Sequence, residues 1–181
     1  MVLTRKQWRE AQNRALWYFN KASILLTNRE KNNIEIADFG LGCIERIGLE
    51  LITYVNTDRC CAKEIVLFSW QICPEHKHPK LNNYPGKEET FRCRWGEVFL
   101  YTEGTPTIFP KAKIPDDLKK YFTVWHEIVL SPGEQYTLQP NIRHWFQGGP
   151  EGAVVSEFST KSIDEEDIFT DLRIKRIPVI I

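Results

Sequence analysis

The sequence predicts a mainly β, single-domain protein with an N-terminal helix, and three observations carry that prediction. From residue 49 to 160, short runs rich in β-branched and aromatic residues alternate with clusters of Gly, Pro, Asn and Asp. That texture belongs to an antiparallel sandwich or barrel. No stretch alternates a strand with a long helix, which disfavours a parallel βαβ sheet. The length, 181 residues, suits one domain with a core of its own.

The elements follow in chain order. Thr4 and Gln7 have capping-box spacing, and Trp8, Ala11, Ala15, Leu16 and Phe19 recur near a helical period, so a helix is expected over 4–20. The stretch NREKNNIEIADFGLG reads as loop or short helix, punctuated by Gly40 and Gly42. Strands are expected in LELITYVNT, KEIVLFSWQ, GEVFLYTEG, VWHEIVL, QYTLQ, RHWFQ and AVVSEFST. The chain 1–181 then divides into a helical extension (1–48), a β core (49–160) and a C-terminal tail (161–181). The tail is polar and acidic until it ends in IPVII, which suits an edge strand or packing on a partner subunit.

Charge and cysteines exclude several function classes. Twenty-four basic residues balance 24 acidic ones, leaving no electrostatic footprint for nucleic acid or an anionic membrane. No apolar run approaches the ~20 residues of a membrane helix, and the N-terminus lacks the apolar core of a signal peptide. The five cysteines include an adjacent pair and no CxxC, so neither a disulfide framework nor a zinc ribbon fits. Reduced thiols in a cytoplasmic protein are the plain reading.

The chemistry concentrates in CPEHKHPKLNNYPGKEETFRCRWG. His76 and His78 are two of four histidines, and at strand spacing they present two imidazoles to one face. Glu89 opens the next strand, which the LNNYPGK loop can fold back alongside, and His144 lies at the mouth of a later one. Three imidazoles and a carboxylate suit a divalent transition metal such as manganese, iron, cobalt, nickel or zinc. Open coordination positions would make such a site catalytic. Glu89 is followed after six residues by Gly96, and His144 is preceded by a turn-forming Gly133. These motifs resemble those of the cupin superfamily. Where its second motif usually has Gly, this chain has Asn141, which tolerates the same left-handed backbone.

The phrases CPEHKHP, PGKEETFRCRWGEVFLY, PGEQYTLQPNIRHWFQ, VVSEFST and DIFTDLRIKR more closely resemble the D-lyxose ketol-isomerase family of cupins. The resemblance implies a single jelly-roll β-barrel, a bound divalent metal, foremost Mn²⁺, and a homodimer. It also implies isomerisation of D-lyxose to D-xylulose, with D-mannose to D-fructose as a further activity.

An aldose–ketose isomerase needs a base for the C2 proton and an electrophile for the developing enediolate. Glu157 is the candidate base. It shares strand parity with Ala153 and Val155, and apolar neighbours would raise its pKa. The alternative has Val154, Ser156 and Phe158 facing inward and Glu157 in solvent. Lys87 shares the face of Glu89 if that strand starts early; otherwise it is an exposed turn lysine. Asp167 and Asp171 lie in an acidic tail and enter through the resemblance, with Asp167 preferred. His126 has no partner at ligand spacing, Trp95, Trp125 and Trp145 read as core, and Cys93 has no base at catalytic spacing. Two competing readings are a cupin dioxygenase, since the same ligands hold iron or nickel, and a sugar-binding module without turnover.

Overall fold

The computed structural model describes residues 3–176. Helix α1 (Arg5–Lys21) starts where the sequence signals it, with Thr4 and Gln7 capping each other reciprocally. Its inward stripe of Ala11, Ala15, Tyr18 and Phe19 packs on Ile52, Val66, Phe68 and Val154, which cover the outer side of the sheet. A second capping box, Thr27 with Glu30, starts the short α2 (Asn28–Asn32).

Nine strands build one curled antiparallel sheet. They are β1 (Glu35–Ala37), β2 (Leu49–Asn56), β3 (Cys61–Leu67), β4 (Ile72–Lys77), β5 (Glu89–Thr102), β6 (His126–Leu130), β7 (Gln135–Leu138), β8 (His144–Ser159) and β9 (Ile168–Phe169). The sheet forms a half-barrel whose inner side holds the larger core, including Ile65, Leu67, Phe91, Val155 and Phe146.

The spine is the pair β5–β8. The C-terminal half of β8 lies between β3 and the start of β5, and its N-terminal half lies between β4 and the end of β5. RHWFQ and AVVSEFST are therefore parts of one strand. The pairing skips from Gly96↔Ala153 to Val98↔Gly148, so residues 149–152 bulge out between them. β1 falls inside the stretch expected to be a helical extension and pairs with β2, so the sheet begins before residue 49. The ending IPVII, expected as an edge strand or partner contact, lies outside the described residues. Among the described residues, no helix is long and apolar enough to cross a membrane.

Candidate active site

Strand pairing brings the expected ligands together. His76 lies directly across from His144 in the β4–β8 pair, and His78 follows two residues later, just past the end of β4. The three imidazoles each offer a nitrogen within 4.8 Å of the others, and all three residues are buried. Glu89 opens β5 and is also buried. Its Oε1 lies 3.2 Å from His78 Nε2 and 2.8 Å from His144 Nε2.

The tautomers follow from the other ring nitrogens. His76 Nδ1 donates to the Pro74 carbonyl at 2.8 Å and His144 Nδ1 to the Ile142 carbonyl at 3.0 Å. A carbonyl only accepts, so both rings, when neutral, carry their lone pair on Nε2, which for His144 faces Glu89 Oε1 at 2.8 Å. His78 Nδ1 donates to Asp167 Oδ1 at 2.5 Å.

His144 Nε2 is fully buried with no hydrogen-bond partner, although the Glu89 oxygen is 2.8 Å away. A lone pair facing a carboxylate oxygen that closely calls for a cation between them. This donor set, imidazole nitrogens plus a carboxylate with their outer sides hydrogen-bonded, fits a divalent transition metal.

Electrostatics agree on most members. Burial, with His144 and His78 nearby, pushes the His76 pKa well down, leaving the neutral ring a metal requires. Burial opposes ionisation of Glu89, but Lys87, His78 and His144 outweigh it and hold the carboxyl well below its usual range. Burial also opposes charge on His78, yet Glu89 and Asp167 push its pKa up to about 9. A cation binding here has to displace that proton.

Lys87 precedes β5 rather than lying in it, and it is buried, not a turn lysine in solvent. Its Nζ lies 2.8 Å from Glu89 Oε2 and 3.1 Å from Glu157 Oε1. Glu157 faces inward, paired across strands with Lys63 and Phe91. Its surroundings differ from the apolar ones that Ala153 and Val155 suggested, because Lys63 Nζ at 3.9 Å and Lys87 Nζ flank it. The cross-strand register supplies both charges, and residues next to Glu157 in sequence do not reveal them. Asp167 lines the same cavity as His76, His78, Lys87 and Glu157. Asp171 is buried elsewhere, held by Arg173.

The residues set aside stay outside the cavity. Trp145 is fully buried, stacked on Tyr101 at 4.0 Å. Trp95 packs against Tyr18 on the helix side. His126 Nδ1 bonds the Thr105 carbonyl, and burial pushes the Cys93 thiol up to about 11. Sequence reasoning did not single out Lys63, Asp164, Arg176 and Phe169, which also line the cavity. For Lys63 a signal existed: it shares strand parity with the inward Ile65 and Leu67.

The family model described as D-lyxose isomerase matches residues 12–181. The chain belongs to the D-lyxose isomerase family. A D-lyxose ketol-isomerase from a Thermofilum species is 60% identical over 180 residues, covering 99% of this chain and 100% of that protein. A D-lyxose/D-mannose isomerase from Thermosediminibacter oceani is 59% identical over 99% of both chains. Members of this family are aldose–ketose isomerases, and the chain is an enzyme of that class. In fold it resembles the L-ribose isomerase of an Acinetobacter species solved with L-ribose, with a TM-score of 0.83 at 14% identity, covering 99% of this chain and 98% of that one. The Cellulomonas parahominis L-ribose isomerase gives 0.81 at 14% identity, covering 99% of each chain.

Proposed function

We propose that the protein converts D-lyxose to D-xylulose, and D-mannose to D-fructose at the same site. In this reading His76, His78, Glu89 and His144 hold a divalent metal, foremost Mn²⁺. One observation carries the metal reading: the buried lone pair of His144 Nε2 facing Glu89 Oε1 at 2.8 Å. The substrate reading draws on relatives named for D-lyxose and for D-lyxose/D-mannose at 60% and 59% identity. When bound, the metal would supply Lewis acidity and a template for adjacent sugar oxygens.

The chain's own groups account for the rest. Glu157 takes the proton from C2 and returns it at C1. Its Oε1 accepts from Lys87 at 3.1 Å and Ser159 at 3.3 Å. Its Oε2 has no hydrogen-bond partner among the described residues, so it is the oxygen available to a substrate proton. The Lys87 ammonium stays charged: burial opposes this, but Glu157 and Glu89 hold its pKa well above the usual value. It can therefore offset negative charge growing on a sugar oxygen. Asp167 fixes the His78 ring through Nδ1. A wall carrying Lys63, Lys87, Glu157, Asp164 and Arg176 suits a hydroxylated substrate better than the apolar substrate expected of an oxygenase.

The proposal extends to a cytoplasmic homodimer. Five free cysteines support a reducing compartment. Val55 and Phe158, partly exposed and aligned through Ala62 on the outer face, support a covered surface.

The test is direct. Protein stripped with chelator and restored with Mn²⁺ is given D-lyxose or D-mannose without oxygen, and D-xylulose or D-fructose is sought by chromatography. Metal-dependent ketose is expected, and Glu157→Gln should lower kcat about a hundredfold or more with Mn²⁺ still bound. No ketose from either aldose, with metal demonstrably bound, would sink the proposal.

A further inference from the structure

With His76, His78, Glu89, Lys87, Glu157 and Asp167 assigned, the cavity wall still carries three polar side chains that the reaction leaves unused, Lys63, Asp164 and Arg176. Lys63 Nζ donates to Ser162 Oγ at 3.0 Å and to Asp164 Oδ1 and Oδ2 at 3.0 and 2.9 Å. Arg176 donates to Asp164 Oδ2 at 3.0 Å and to Glu35 Oε1 at 2.5 Å. Burial opposes ionisation of Asp164, but Lys63, Lys87 and Arg176 hold its carboxyl well below the usual range. If the cluster only fastened the tail to the sheet, apolar packing would do so without desolvating three charges.

Their order gives them a use. Contacts run outward from Glu89 through Lys87, Glu157, Lys63 and Asp164 to Arg176, and end at the half-exposed Glu35. An aldose whose first two carbons lie at Glu157 and the ligands must place its other carbons somewhere. Against Phe39, Leu49 and Leu51, which also line the cavity, their hydroxyls would lose hydrogen bonds. A hydroxyl both donates and accepts, and the cluster offers cationic donors beside a carboxylate acceptor.

We infer that Lys63, Asp164 and Arg176 form the subsite that reads the hydroxyls remote from the reacting carbons, setting the preference between pentose and hexose aldoses. The inference rests on the isomerase reading and deepens it. Each cation there already faces a carboxylate, so the subsite is matched to neutral polyol rather than to a phosphorylated end.

D-lyxose and D-mannose have the same configuration at C2, C3 and C4 and differ only beyond them, which makes the pair a ruler for this wall. The experiment measures kcat and KM on both sugars for the Mn²⁺ enzyme, Asp164→Asn and Lys63→Gln. The expected result is a shift of about tenfold or more in the ratio of the two kcat/KM values, carried mainly by KM. An equal loss on both sugars would mean that the cluster acts only through Glu157 or the fold, and would overturn the subsite. No loss on either sugar would overturn it too. Arg176→Lys, farther from Glu157, carries the test if the other variants do not fold. If the wild type converts neither sugar, the isomerase reading fails and the subsite with it. If it converts both and the ratio stays fixed in the variants, the subsite alone fails.

Discussion

Gly96 shows how a spacing in the sequence becomes a steric requirement. The sequence marks it only by its distance from Glu89. In the fold it has φ +73°, and a Cβ there would stand 2.0 Å from the Gly152 carbonyl oxygen, a backbone atom in the bulge that sets the β5–β8 register. Gly96→Ala should cost about 3 kcal/mol or more, measured by urea unfolding; a loss under about 1 kcal/mol would contradict the close approach. Asn141, at φ +64°, is the reverse case. Its left-handed backbone was legible as a replacement for glycine, because Asn adopts that region at low cost. The proposed ligands were legible for a similar reason, since His76, His78, Glu89 and His144 lie at recognisable spacings. Lys63 and Asp164 were not. Lys63 meets Glu157 through pairing between distant stretches, and Asp164 lies in an acidic run that looks like any solvated tail.

At the scale of elements, helix α1 was legible from capping and period, and most strands from their composition. What periodicity missed was continuity. GGPEG punctuates the sequence like a turn, yet it is a bulge within β8 because β5 runs unbroken beside it. It also missed how elements are fastened. Glu75, one residue before His76, is buried with its carboxylate turned to other partners than the proposed ligands. It accepts from Thr123 N at 2.5 Å, Thr123 Oγ1 at 2.8 Å, Val124 N at 3.0 Å and Thr170 Oγ1 at 2.6 Å, with Arg143 Nη1 at 3.4 Å. One side chain thereby ties β4 to the connection before β6, to the start of β8 and to the tail. Glu75→Ala would strand several of those donors, so a loss of about 3 kcal/mol is expected. Equilibrium unfolding checks it, and a change below about 1 kcal/mol would show that solvent replaces the carboxylate without cost.

Across the whole molecule, the proposed ligands come from separate parts of the sheet: His76 and His78 from β4 and its end, Glu89 from β5 and His144 from β8. Asp167, from the tail, braces one of them. These groups share a centre only when the half-barrel is formed, so an ion bound by all of them binds the folded chain and not the unfolded one. Mass action then stabilises the fold by about 4 kcal/mol at a thousandfold excess of ion over Kd. For a domain of this size each kcal/mol moves Tm by about 2–4 °C, so Mn²⁺ should raise Tm by about 8–16 °C and chelator should reverse the shift. His76→Ala combined with His78→Ala should lose most of that response, whereas Glu157→Gln, outside the ligand set, should keep it. If Mn²⁺ and the other first-row divalent ions leave the wild-type Tm unchanged, the four residues do not act as one metal site. The buried His144 lone pair would then need another cationic partner.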